Sequence, residues 1–230
     1  METDLKFVKL TIVDMLKSTH REGMEGLLLW LEVEGFYKSP ASTRFHGAYE
    51  GGLMAHSLDV FNKLVELLPD AGGIEALTEA VSAGQKPLEL NGDAIIIAPL
   101  LHDICKVGAY IGNESPYKWN KKQPKGHARL SIERIEKFIK LTEIERMMIK
   151  FHMGVYGCEE FYEEDSWEFK TNAEYPMKGD HSKDADMTKE ESQAARYGQS
   201  LRNAWYHNPI CKLMYFADEL ATMADKLGGE

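Results

Sequence analysis

Only three cysteines occur in 230 residues, Cys105, Cys158 and Cys211. They are odd in number, far apart and never paired as Cys-x-x-Cys, which argues against a disulfide framework and for a reducing compartment. Long hydrophobic runs are also missing: no stretch approaches the roughly 18 apolar residues that a membrane-spanning helix needs. The opening METDLKFVKLTIVDMLK has acidic residues early and no apolar core followed by a small-residue cleavage site, so it does not read as a signal peptide. The expected location is the cytoplasm, with no membrane contact. Positive charge is scarce as well. Lys and Arg number 27 against 37 Asp and Glu, a net charge of -10, which argues against a broad electrostatic grip on duplex nucleic acid while leaving room for a small basic patch at a pocket. Internal repeats, low-complexity tracts and composition breaks between domains are absent too, and the length suits one domain over residues 1–230 with a real core.

What is present is helical periodicity. Apolar residues recur at three- and four-residue spacing over 5–17 and 22–34, with Gly35 as a stop. After a loop at 39–43, Gly51-Gly52 precedes LMAHSLDVFNKLVELL, an amphipathic helix ending at Pro69. A short helix is expected around 74–83, and a nearly all-apolar one over 92–106. Residues 109–125 look irregular, and helices fit 127–140 and 143–152. Residues 158–188 are polar, acidic and aromatic without a clean period, as in an irregular insertion. Residues 189–203 suit a helix. Asn208-Pro209 suits the start of the last one, with Asn as cap and Pro in the first turn.

Chemistry concentrates on Leu101-His102-Asp103, an imidazole and a carboxylate on an otherwise apolar helix. A buried carboxylate costs several kcal/mol unless it is paired, so Asp103 needs a partner, and a cation is one candidate. For an isolated His-Asp pair the ordinary reading is structural: a helix cap, or an ion pair with Lys106. The pair is not isolated. His56 opens an amphipathic helix and Asp218 sits in the apolar LMYFADELAT. Two His and two Asp on separate helical stretches make an N/O set suited to first-row divalent metals, built as helical bundles build metal sites. His127 at a helix start and His152 at a helix end lie in similar settings. Lys106 follows His102 by one turn and can meet a phosphate oxygen, or can be a surface residue at a helix end. Arg44 and His46 lie just before the Gly-Gly turn and can contact substrate phosphate, or can be loop residues. The stretch 117–125 carries four lysines with Tyr117 and Trp119 just before His127. Rings among basic residues suit stacking on bases beside phosphates, although a solvated loop reads the same way. His20, His181 and His207 have no partner pattern, while Cys105, Met147-Met148 and Phe216 read as core packing.

The order H…HD…H…H…D in these contexts resembles the HD-domain superfamily of metal-dependent phosphohydrolases. TRFHGAYEGGLMAHSLDV is similar to the first-histidine segment of bacterial HD hydrolases, the 3′-to-5′ exoribonuclease branch among them. LLHDICKVG, GHARLSIERI and ADELAT match the later motifs, and REGMEGLLLWLE resembles a group of bacterial and phage-associated HD proteins. The resemblance covers about residues 20–155 and 208–222. It implies an all-α HD-domain helical bundle and a divalent metal cofactor: Mn, Fe, Co, Mg or Ni. His56, His102, Asp103 and Asp218 would hold the principal ion. Asp103 would bridge to a second ion held by His127 and His152, and Lys106 would position phosphate. One departure is His152-Met153, where several binuclear branches carry adjacent histidines. Thioether is a poor ligand for hard ions, so the second ion is expected to be weaker and Met153 to turn into packing.

The implied reaction is hydrolysis by a metal-activated water, with Asp103 and Lys106 as catalytic residues and Lys106, Arg44 and His46 as substrate contacts. The expected substrate is a small nucleotide-type phosphoester. The alternative is a phosphodiesterase or 3′-to-5′ nuclease acting on a cyclic nucleotide or single-stranded nucleic acid. A sensor that keeps the fold for binding alone fits least, because the ligand set is intact. Neither the exact substrate nor the oligomeric state is legible.

Overall fold

The computed structural model describes residues 4–79, 87–124, 126–157 and 189–227. Among these the fold is all-α, as expected. The helices are α1 (Leu5–Ser18), α2 (Met24–Val33), α3 (Gly52–Leu67), α4 (Gly73–Glu79), α5 (Gly92–Leu101), α6 (His127–Ile135), α7 (Glu143–Phe151), α8 (Lys189–His207) and α9 (Pro209–Leu227). Short 3-10 turns follow α5 at Ile104–Lys106 and α7 at Gly154–Gly157. One antiparallel pair, β1 (Tyr110–Ile111) with β2 (Lys118–Trp119), sets Tyr110 opposite Trp119. No described helix is long and apolar enough to cross a membrane.

Local sequence explains where several helices begin. The Asp4 carboxylate accepts from the Lys6 and Phe7 amides to open α1, and Asn91 accepts from Ala94 to open α5. Thr142 and Glu145 form a reciprocal capping box at α7. At Gly51-Gly52 the chain needs glycine for two reasons. Gly51 has φ +83°, and a Cβ on Gly52 would lie 2.0 Å from the Gly47 carbonyl oxygen. That close approach fixes the turn that launches α3.

α5 is the central helix. Ala94, Ile97, Ala98, Leu100 and Leu101 are all fully buried, which is why its sequence is apolar nearly all round. α3 and α7 pack on it, and α9 packs on α3 and α7. A single cluster of buried side chains runs through these helices, including Leu53, Leu64, Ile97, Leu101, Ile149, Met214 and Ala217. Each fully buried Leu or Ile stabilises the fold by about 1.5–3 kcal/mol. Within this apolar setting the four helices each present one polar group to the same region.

The structure departs from the sequence expectations in several places. The helix predicted over 92–106 stops at Leu101. The Arg134 guanidinium takes the Ile104, Cys105 and Val107 carbonyls at 2.6, 3.0 and 3.1 Å, and Ser131 Oγ accepts from the Cys105 amide. These contacts reward a turn in which the carbonyls face sideways. The segment read as irregular over 109–125 contains the β1–β2 pair. The helix predicted over 127–140 ends at Ile135, where the chain passes so close to Gly23 that a Cβ there would meet the Phe138 carbonyl oxygen at 1.9 Å. Helix α8 continues to His207 rather than Asn203. Asn208 spends its side chain on a distant partner: Oδ1 accepts from the Leu88 amide at 2.7 Å. Phe216, read as core, is 41% exposed. The insertion at 158–188, with His181 and Cys158, lies outside the described residues, as does the end of the 74–83 helix.

Candidate metal centre

Two histidines reach the centre from helix ends by the same device. His102 follows the last residue of α5, and its Nδ1 lies 2.8 Å from the Pro99 carbonyl oxygen. His152 follows the last residue of α7, with Nδ1 2.6 Å from the Ile149 carbonyl oxygen. A carbonyl can only accept, so each Nδ1 is a protonated nitrogen and each Nε2 is the atom left to face the centre. His56 comes from the start of α3 and Asp218 from the middle of α9. Asp103 is the hinge residue between α5 and the following turn, with φ -110° and ψ 14°, outside the helical region.

The acceptor atoms converge. His56 Nε2 lies 3.1 Å from Asp218 Oδ1 and 3.7 Å from Asp103 Oδ2. His102 Nε2 lies 3.4 Å from Asp103 Oδ2 and 3.7 Å from Asp218 Oδ1. Ligands about 2.1 Å from one ion stand about 3.0–3.4 Å apart in octahedral or tetrahedral arrangement; the His56–Asp218 and His102–Asp103 edges fall in that range and the two 3.7 Å edges lie about 0.3 Å beyond it. Buried His56 Nε2 and His102 Nε2 also make no aligned hydrogen bond, an expensive condition unless another partner serves them. The residues therefore fit a divalent ion. Asp103 divides its two oxygens between two groups. Oδ2 faces His56 and His102, while Oδ1 lies 2.7 Å from His127 Nε2 and 3.7 Å from His152 Nε2. Asp103, His127 and His152 form a second group able to hold an ion, and His152 also stands close to His102 and Asp218.

Charge is balanced within the cluster. Burial pushes the Asp103 carboxyl up, but Lys106, His102 and His127 together hold it well below the usual carboxylate range. Asp218 is likewise depressed against burial by the His56 imidazole 3.1 Å away and by the neighbouring His102 and His152 rings. Burial opposes the proton on His127, yet the adjoining Cys105 sulfur and the Asp103 carboxylate raise it well above the ordinary histidine value. His152 is lowered, chiefly by burial. His46 is pushed down to about 4 by burial and by the Lys106 and His56 charges. The region thus combines two anionic carboxylates with one cationic lysine and imidazoles that differ in proton affinity.

A cavity of about 430 Å³ opens onto the cluster, within the range of small-molecule sites. Its lining includes Asp103, Lys106, His46 and His127 together with Trp119 and Met153.

A stretch of 80 residues is 35% identical to dihydroneopterin 2′,3′-cyclic phosphate phosphodiesterase from Methanocaldococcus jannaschii. The match takes in 34% of this chain and 26% of that protein, so the chain is aligned with about a quarter of its relative. No protein-family model and no solved structure matches the chain.

Of the residues singled out by sequence, His56, His102, Asp103, Asp218, His127 and His152 come together, and Lys106 joins them at 2.6 Å from Asp103 Oδ2. The helix break places Lys106 against Asp103 rather than on a common helical face with His102. His46 lies beside His56, ring centroids 5.0 Å apart. Arg44 does not join: it is exposed over the neighbouring Phe45 ring and is absent from the cavity lining. Met153 was expected to turn into packing, but it lines the cavity, because the 3-10 turn after α7 carries the chain around the site. Cys105 was read as core. It is buried, yet its sulfur lies 3.1 Å from His127 Nδ1 and it also borders the cavity. Its position two residues after Asp103 was the available signal. Arg134 and Ser131, which shape the turn, gave no sequence signal beyond their place in GHARLSIERI.

Proposed function

We propose that the protein is a metal-dependent phosphohydrolase of the HD type that cleaves a phosphodiester, a cyclic phosphate foremost, on a small nucleotide-like molecule. The observation that carries this reading is the convergence of His56, His102, Asp103 and Asp218 at edges of 3.1–3.7 Å, with two buried imidazole nitrogens that make no aligned hydrogen bond. The order and context of the same residues supports assignment to the HD superfamily. The phosphodiesterase relative favours a diester over a monoester, and its printed substrate is a cyclic phosphate. The net charge of -10 favours a small substrate over a long nucleic acid.

A divalent ion held by His56, His102, Asp103 and Asp218 would acidify a water and polarise the phosphoryl oxygen. The chain's own groups do the rest. Lys106 sits beside Asp103 and offsets charge on the phosphoryl oxygens. His127 Nε2 lies 2.7 Å from Asp103 Oδ1 and within hydrogen-bond distance, 3.3 Å, of His152 Nε2, and is placed to give a proton to the departing oxygen. His102 and His152, fixed through Nδ1 to backbone carbonyls, keep their Nε2 atoms turned inward. A second ion in the Asp103–His127–His152 group would compete with the His127 proton and so would bind more weakly than the first.

The test is a hydrolysis screen with Mn²⁺, Fe²⁺, Co²⁺, Ni²⁺ or Mg²⁺ on nucleoside 2′,3′-cyclic phosphates, mononucleotides and short single strands, with Asp103→Asn alongside. Turnover of a cyclic phosphate that requires metal and disappears in Asp103→Asn is the expected result. Metal binding and turnover that both survive the substitution would overturn the assignment.

A further inference from the structure

The cavity has a wall that the hydrolytic machinery does not use. β1 and β2 are two residues each, too short to be stable alone, yet the hairpin is fastened at many points. The Asn120 amide donates to the Ala109 carbonyl at 2.8 Å, and its side chain donates to the Gly108 carbonyl at 2.9 Å. Gln123 Nε2 donates to the Cys105 and Val107 carbonyls at 2.8 and 3.2 Å. The Tyr117 amide donates to the Thr43 carbonyl at 2.7 Å, and the Tyr110 hydroxyl donates to the Ala41 carbonyl at 3.3 Å. The hairpin is therefore bolted to the very turn that carries Asp103 and Lys106, and to the loop before α3.

What the hairpin presents is aromatic. Tyr110 and Trp119 are direct cross-strand partners, with ring centroids 5.7 Å apart and planes at 76°. That edge-to-face contact steadies the strands but stacks neither ring on the other. Both residues line the cavity, and Trp119 remains 41% exposed. An indole held half-exposed by a rigid mount, in the same cavity as Lys106 and Asp103, is poor use of a core side chain and good use of a stacking platform. If the pair served only to hold the strands together, the indole would gain by burying itself against the adjoining loop. Met153 and Leu130 supply further apolar walls of the cavity, and its size of about 430 Å³ suits a ring joined to a phosphate.

We infer that the Tyr110–Trp119 hairpin is the specificity element of the site, with the Trp119 indole stacking on a planar heteroaromatic ring of the substrate while its phosphate lies at Asp103 and Lys106. The inference rests on the phosphodiester reading and narrows it to substrates that carry such a ring, a nucleobase or a pterin. Non-selective stacking on bases is strong enough to shift binding by about 10- to 100-fold. Tyr110 acts through Trp119 as a positioning residue.

The test compares kcat/KM for adenosine 2′,3′-cyclic phosphate and dihydroneopterin 2′,3′-cyclic phosphate with that for glycerol 1,2-cyclic phosphate, which has no heteroaromatic ring. In Trp119→Leu the ratio of ringed to ringless substrate should fall about 10- to 100-fold, mainly through KM, and Trp119→Phe should keep most of it. The two ringed compounds show which source the site prefers. A second measurement needs no turnover. Adenosine 2′,3′-cyclic phosphate should quench the tryptophan fluorescence of the native protein, and the quenching should vanish in Trp119→Phe. A ratio unchanged in Trp119→Leu, or quenching that persists in Trp119→Phe, overturns the inference. If the native protein hydrolyses none of the three compounds, the phosphodiester reading fails, and the quenching measurement alone decides whether the hairpin binds a ring.

Discussion

Lys106 Nζ lies 2.6 Å from Asp103 Oδ2, the same oxygen that stands 3.4 Å from His102 Nε2 and 3.7 Å from His56 Nε2. A divalent ion held at this group would therefore compete with the Lys106 ammonium for one carboxylate oxygen. Lys106→Met removes that competitor and a repelling charge. It should bind Mn²⁺ several-fold more tightly by calorimetry while losing about 10²-fold or more in turnover, the scale of removing one charge-stabilising donor. Weaker metal binding in Lys106→Met would show that the lysine supports the ion site rather than opposing the ion.

Cys105 offers a second test within the same cluster. Its sulfur, 3.1 Å from His127 Nδ1, does for that ring what the Pro99 and Ile149 carbonyls do for His102 and His152. A thiol is a softer and less directional partner than a carbonyl. Cys105→Ala should loosen His127 and weaken activation by a second equivalent of metal, with tight binding of the first equivalent retained. Cys105→Ser should restore part of the activation. Identical titration curves for all three proteins would make the sulfur contact incidental.

Away from the site, Glu145 is a buried carboxylate that ties two parts of the fold together. It has no solvent exposure. It accepts from Arg21 Nη1 and Nη2 at 3.1 and 2.8 Å and closes the capping box through the Thr142 amide at 2.7 Å. Glu145→Ala leaves the Arg21 charge without its main partner and should cost about 3–5 kcal/mol. Arg21→Met combined with Glu145→Leu should recover a good part of that loss. Urea unfolding measures both, and a double variant no better than Glu145→Ala would contradict the argument.

Alkaline stability follows from two buried acids. Burial pushes the Cys211 thiol up to about 12 from 9.0, and burial with the Glu32 charge pushes the Tyr37 hydroxyl up to about 12 from 10.0. Both stay protonated in the fold over a range where the unfolded chain has lost those protons. The unfolded state then binds fewer protons, so stability falls as pH rises from about 9 toward 12, by up to about 1.4 kcal/mol per pH unit for each group. Between pH 8 and 10.5 the native protein should lose about 2 kcal/mol more than Cys211→Ala. Equal losses would rule out Cys211 as a source.

The helical class and the need of Asp103 for a partner were legible in the string of letters, because each has a period or a chemical cost. The six histidines and aspartates that meet at the centre were legible only through the resemblance of their order to the HD superfamily. Ile95, Ile97, Leu100 and Leu101 belong in the interior, and Asp103 beside them had to be paired. The tertiary structure decided the rest, because partners distant in sequence set it. Arg134 and Ser131 on α6 bend the chain after Leu101, and so give Asp103 Oδ1 to His127 and Oδ2 to His56. Thr43 and Ala41 fasten a hairpin that reads as a loop, and so put Trp119 in the cavity while Arg44, nearer to His56 in sequence, stays outside. Cys105 looked like one more apolar residue of a helix. It became a histidine partner only because the helix ended before reaching it.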